Sequence, residues 1–233
     1  MSILLENVSK TYQTPKGPKE ILKDVNLDIP SGVSVGLVGR NGAGKSTLLR
    51  ILAGAESADQ GKVVVPARTS WAIGIASGIA TALTGRQNAR FIARLHGANA
   101  EEIARIEAYT KEFSELGNYF DAPTGTYSAG MRSRLAFALS MAISFDLVLL
   151  DEITAVGDAS FRERCRQELA NRSHESQFVI ASHNRSELES MADWGVFVCD
   201  TKLYTYTSVG EAFEAYRNWM QKGVHPKDSD HLS

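Results

Sequence analysis

The eight residues Gly39-Arg40-Asn41-Gly42-Ala43-Gly44-Lys45-Ser46 constrain the fold more than any other stretch of this chain. They fit G-x-x-x-x-G-K-[ST], the pattern of a phosphate-binding loop. The flanks give the pattern its weight. Val33 to Val38 is an apolar run that reads as a buried strand, and Thr47 to Leu52 reads as a helix. Strand, loop, helix is the context in which consecutive backbone N–H groups turn inward on one anion. The helix adds its free N–H groups and its positive dipole end. In that setting Lys45 reaches the β- and γ-phosphates, and the Ser46 hydroxyl ligates Mg2+. The loop therefore predicts an α/β domain that binds a nucleoside triphosphate.

The remaining composition narrows the function classes. At 233 residues the chain has room for one or two domains with a real core. A net charge of −2 gives no electrostatic footprint for nucleic acid. Cys165 and Cys199 lack metal-ligand spacing in sequence and read as reduced thiols. No basic leader with a long apolar core is evident near the start. The uncharged stretch between Arg68 and Arg86 is rich in Gly, Ala, Ser and Thr and is too weakly apolar to read as a membrane span. The expected location is the cytoplasm, with a seat on a membrane partner left open.

Taken in order, Ser2 to Tyr12 and Ile21 to Ile29 read as strands, so an antiparallel β piece is expected beside a parallel core. Tyr12 closes the first of them. It reads either as an ordinary strand former or as a ring that stacks on adenine. Asn88 to His96 and Ala100 to Leu116 are charged, helical in period and free of strand pattern. They mark a helical insertion over roughly residues 72–139. Ser128 is a sensible N-cap for the helix that follows, and the exposed N–H groups there can also hold a phosphate. Leu147 to Leu150 is an apolar strand that runs into Asp151 and Glu152, and Gln177 to Ala181 is another that runs into Ser182 and His183. In a parallel sheet the ligand crevice lies outside the carboxyl ends of the strands. Asp151 is then expected to face the Mg2+ held by Ser46, Glu152 to orient and deprotonate a water, and His183 to meet a γ-phosphate. Residues 223–233 read as a polar tail behind a domain of residues 1–222.

The ordered set resembles the ATP-binding subunit of ABC transporters over nearly the whole chain. The phosphate loop is Gly39 to Ser46, and the signature stretch is Ser128-Ala129-Gly130-Met131. The Walker B strand is Leu147 to Asp151 with Glu152, the D-loop is Ala155 to Asp158, and the switch histidine is His183. Within that family Tyr127 to Arg134, Asp151 to Asp158 and Thr84 to Asn88 look like the short ATPases of capsular-polysaccharide export. O-antigen and teichoic-acid exporters are the alternative within the branch. A soluble ABC protein acting on ribosomes or DNA is the alternative outside it, disfavoured by the single phosphate loop, the absence of sustained heptads and the charge. One position departs from the pattern: where the family carries its Q-loop glutamine, the register puts Ala80.

The resemblance implies a P-loop NTPase of the ABC ATPase fold, with a parallel core sheet, an N-terminal antiparallel β piece and an inserted α-helical subdomain. It implies ATP and Mg2+ as cofactors. Tyr12, Gly39, Arg40, Asn41, Gly42, Ala43, Gly44, Lys45, Ser46 and Thr47 would bind the nucleotide from one copy. Ser128, Ala129, Gly130 and Asp158 would close on it from a second copy in a homodimer. Ser46 and Asp151 would hold the metal, and Glu152 and His183 would serve hydrolysis. Residues 71 to 100 would press on an integral membrane permease. The cargo implied is lipid-linked capsular polysaccharide, passed to periplasmic and outer-membrane export proteins from the cytoplasmic face of a bacterial inner membrane.

Overall fold

A long hairpin opens the chain. β1 (Ile3–Thr14) and β2 (Gly17–Ile29) pair antiparallel from Ile3↔Ile29 to Thr14↔Gly17. Alternating apolar residues, among them Ile3, Leu5, Val25, Leu27 and Ile29, are buried on one face. β1 extends two residues past the expected end because the hairpin turn is tight: Thr14 Oγ1 donates to the Gly17 carbonyl at 2.7 Å. β4 (Gln60–Val64) adds to the other edge of β1, giving a three-stranded antiparallel sheet in the order β2-β1-β4. The structure, a computed structural model, describes residues 2–73, 79–151 and 158–226.

The second sheet has six strands in the order β5-β6-β7-β3-β8-β9. These are β3 (Val35–Val38), β5 (Thr69–Ile73), β6 (Leu147–Asp151), β7 (Gln177–Ala181), β8 (Trp194–Cys199) and β9 (Lys202–Tyr206). β6, β7, β3 and β8 run parallel, and β9 returns antiparallel on β8. Strands buried on both faces read as unbroken apolar runs, which is why β3, β6 and β7 were legible. β5 was not. Its sequence Thr-Ser-Trp-Ala-Ile lacks a period, and buried Ser70 accepts the Leu149 N–H at 2.9 Å with its hydroxyl. Helix α1 (Lys45–Leu52) packs on β6 and β7, while α6 (Arg185–Met191) and α7 (Val209–Lys222) pack on β3, with α7 also on β8 and β9.

The described residues fall into two compact units. One is drawn from Met1–Ala72, Asp146–Glu152 and Ser173–Ser233, and the other from Ile73–Phe145 and Ile153–Arg172. The second is helical: α2 (Gly85–Leu95), α3 (Ala100–Ser114), α4 (Ala129–Ala142) and α5 (Ala159–Arg172). Capping boxes start α2 (Thr84 with Gln87) and α3 (Asn99 with Glu102). In its interior Phe113 stacks on Phe137, and Phe161 meets both rings edge-on. Arg164 lies over the Phe113 ring at 4.8 Å and Arg134 over Phe161 at 4.6 Å, covering that cluster with cations. Among the described residues no helix is long and apolar enough to cross a membrane.

Candidate functional site

β3 ends and α1 begins within a loop whose shape only glycine permits at two places. Gly39 has φ +154, and a Cβ there would stand 2.6 Å from the Val198 carbonyl. Gly44 has φ +115, and its Cβ would meet the Ile21 side chain at 2.9 Å. A side chain at either would push the loop off the sheet. Gly44 is also the N-cap of α1, with no side-chain cap and no acidic residue in the first turn. The first N–H groups of the helix and its positive end are thereby left for an anion. Lys45 is buried, and its Nζ donates to the carbonyls of Gly39 at 2.6 Å and Arg40 at 3.0 Å. Its charge is thus fixed at the mouth of the loop. Arg40, Asn41 and Gly42 are exposed along the rim; Ser46 and Ala43 are half-buried; Thr47 is buried.

Strand register brings the other candidates to the same edge. Leu37 is level with Ala181, and Ala181 with Asp151, across three adjacent parallel strands. Asp151 therefore ends β6 where β7 hands over to Ser182 and His183 and where β3 enters the loop. His183 is exposed, and its Nε2 lies 2.7 Å from Asn41 Oδ1. Buried Ser182 steadies this turn: its hydroxyl donates to Glu187 at 2.6 Å and accepts the Asn184 N–H at 3.1 Å. The oxygen donors available at this edge, the Ser46 hydroxyl and the Asp151 carboxylate, are the hard ligands that Mg2+ takes. Glu152, the expected water-orienting acid, lies outside the described residues, as do Ala155 to Gly157 of the expected D-loop.

Tyr12 is half-buried, and its hydroxyl is anchored. It donates to Glu56 Oε2 at 2.6 Å, accepts from Arg50 at 3.0 Å and lies 3.4 Å from the Thr47 hydroxyl. Burial pushes the Glu56 carboxyl up, but the hydrogen bonds from Tyr12, Arg50 and Lys10 outweigh it and hold the group below its usual range. Sequence reasoning missed Arg50 and Glu56. Glu56 lies 44 residues from Tyr12, and no local pattern announces the pair.

The remaining candidates belong to the helical unit. Ser128 caps α4, its hydroxyl accepting the Met131 N–H at 3.2 Å, and Ser128, Ala129 and Gly130 are all exposed. Asp158 caps α5: Oδ1 accepts the Phe161 N–H at 3.0 Å, and Oδ2 pairs with Arg134 at 2.5 Å. The Phe161 N–H and then Arg134 hold its carboxyl below the usual carboxylate range. Ala80 is gripped through its backbone. Asn88 accepts its N–H at 2.8 Å and donates to its carbonyl at 3.1 Å, and the Thr124 hydroxyl donates to the same carbonyl at 3.0 Å. Gln87 lies seven residues later, and its side chain accepts the Thr84 N–H at 2.9 Å in the cap of α2.

Residues 22–155 match the protein family described as ABC transporter. The chain is 47% identical over 223 residues to the polysialic acid transport ATP-binding protein KpsT of Escherichia coli, covering 95% of this chain and 99% of that protein. It is 37% identical over 216 residues to the capsule polysaccharide export ATP-binding protein CtrD of Neisseria meningitidis serogroup B, covering 93% and 99%. In fold it is similar to a dimeric, post-hydrolysis ATP-binding cassette bound to ADP and Pi. The TM-score is 0.75 at 22% identity, over 88% of this chain and 98% of that one.

Proposed function

Because this chain belongs to the ABC transporter family, we propose that it is the ATP-hydrolysing motor subunit of an exporter of capsular polysaccharide. The observation that carries the ATP reading is the loop itself, with its two glycine-only positions, an uncapped helix start and a buried lysine at its mouth. End-to-end similarity to polysialic acid and capsule transport subunits supports the cargo.

In this reading the loop amides and Lys45 hold the triphosphate, and Tyr12 stacks on the adenine. Ser46 and Asp151 would hold Mg2+, which would supply positive charge against the triphosphate. Glu152 orients a water and takes its proton, and His183, carried on the Ser182 turn, contacts the γ-phosphate. Two copies pair about a two-fold axis, so that Ser128 to Gly130 of one closes on the nucleotide of the other. Asp158, already tied to Arg134, lies at that seam. ATP closes the pair and hydrolysis opens it. An integral membrane permease turns the motion into transport of a lipid-linked polymer, which periplasmic and outer-membrane proteins carry onward. The subunit works at the cytoplasmic face of the inner membrane.

Dimer formation tests the composite site. Ser128→Arg places a bulky cation at an exposed cap without touching the core. It is expected to abolish the ATP-dependent dimer in light scattering while the monomer still binds ATP; a variant that dimerises normally with ATP would refute the two-copy site. Tyr12→Ala is expected to weaken ATP binding by about 1–3 kcal/mol, roughly 5- to 150-fold. Glu56→Gln, which loosens the anchor but keeps the ring, should cost less. Unchanged affinity for Tyr12→Ala in a fluorescence titration would remove the stacking role.

A further inference from the structure

β8 ends at Cys199, and a two-residue turn, Asp200-Thr201, leads into β9. Both turn residues have left-handed φ values, 45 and 66. α7 stops at Gly223, φ 63, and the chain past it returns to the turn, so that His225 stands beside Asp200. Three different donors converge there. Cys199 Sγ lies 3.3 Å from Asp200 Oδ2, His225 Nδ1 lies 3.3 Å from the same oxygen, and all three atoms fall within 4.8 Å of one another. Tetrahedral zinc with bonds of about 2.0–2.3 Å sets its donors about 3.3–3.5 Å apart. Two of the three edges already have that length. The third closes by turning His225, whose side chain is 64% exposed.

We propose that Cys199, Asp200 and His225 form a binding site for one thiophilic divalent metal ion of the zinc class, which clips the segment after α7 to the β8–β9 turn. Thiolate, carboxylate and neutral imidazole together balance a dication, and water completes the shell. The sulfur selects against Mg2+, so this site and an all-oxygen nucleotide-metal site take different ions. Burial and the neighbouring Asp200 carboxylate push the Cys199 thiol up to about 12. On binding, the S–H bond breaks, a sulfur–metal bond forms and the proton leaves to solvent. The clip is close to the phosphate loop. Cys199, Asp200 and Thr201 line one cavity of about 260 Å³ with Arg40, Asn41 and Trp219, and the Arg40 guanidinium lies 5.7 Å from the Trp219 ring. An ion there fixes the end of α7 against the loop.

The test is a cobalt titration of the full, untagged, nucleotide-free chain after chelator treatment. One Co2+ per chain is expected, with a sulfur-to-cobalt charge-transfer band that Zn2+ displaces and Mg2+ does not. Cys199→Ser should abolish the band and Cys165→Ala should leave it. Asp200→Asn and His225→Ala should each weaken binding by about tenfold or more. A missing band overturns the site and leaves a hydrogen-bonded cluster only. So does a band that survives Cys199→Ser, or an unchanged titration in His225→Ala, an exposed position whose loss does not threaten the fold.

Discussion

Lys45→Ala is expected to lower ATP turnover by about 10²–10³-fold, the usual loss when a fixed charge facing developing phosphate charge is removed. Lys45 is buried at 7% exposure, and its Nζ is held by the Gly39 and Arg40 carbonyls. Neighbouring charge does not replace it, because Arg40 points outward over Trp219 at 5.7 Å. Within the loop itself the phosphates would then meet backbone amides and the end of α1, with no lysine charge. Binding should weaken along with turnover, because the charge acts on the ground-state phosphates and more strongly on the charge that develops in the transition state. Phosphate release at saturating ATP, beside a thermal melt that establishes folding, measures the effect. A folded variant keeping more than about a tenth of wild-type turnover would contradict a loop built around this lysine.

Glu152→Gln is expected to slow hydrolysis by about 10²–10⁴-fold with ATP affinity preserved. The amide keeps the size of the side chain and loses the basic oxygen. Glu152 follows Asp151, which ends β6 level with Ala181 and Leu37 at the edge where the loop and His183 meet. In the proposed cycle ATP closes the pair and its cleavage opens it, so the variant should also accumulate as the ATP-bound dimer. Single-turnover hydrolysis and light scattering read the two effects separately. Turnover near the wild-type rate would take Glu152 out of the chemistry.

The placement of most candidate site residues was legible because each sits where an unbroken local pattern ends. β3, β6 and β7 are apolar runs, and Gly39, Asp151 and His183 are simply what comes next; parallel pairing then puts those ends side by side. Ser128 was legible as a cap because capping is a short-range code, and its hydroxyl accepts the Met131 N–H as expected. What escaped depends on contacts between distant residues. Glu56 and Arg50 hold Tyr12 across a β strand and a helix, and neither is marked by its neighbours. β5 was hidden because Ser70, a polar residue in a short edge strand, is satisfied by the Leu149 N–H of β6. The Cys199, Asp200 and His225 cluster needs α7 to end and the chain to turn back, and spacing alone cannot report that. The grip on Ala80 is equally hidden, because Asn88 and Thr124 hold it through its main-chain atoms.

The most direct measurement is surface polysaccharide in the host after deletion of the gene for this chain, with the gene returned as wild type or as Glu152→Gln. Capsular polymer is expected to disappear from the surface and accumulate inside the cell; wild type should restore it, and Glu152→Gln should not despite normal protein levels. Unchanged capsule on deletion, or full restoration by Glu152→Gln, would contradict an ATP-driven capsule exporter, and loss of a different surface polymer would contradict the cargo.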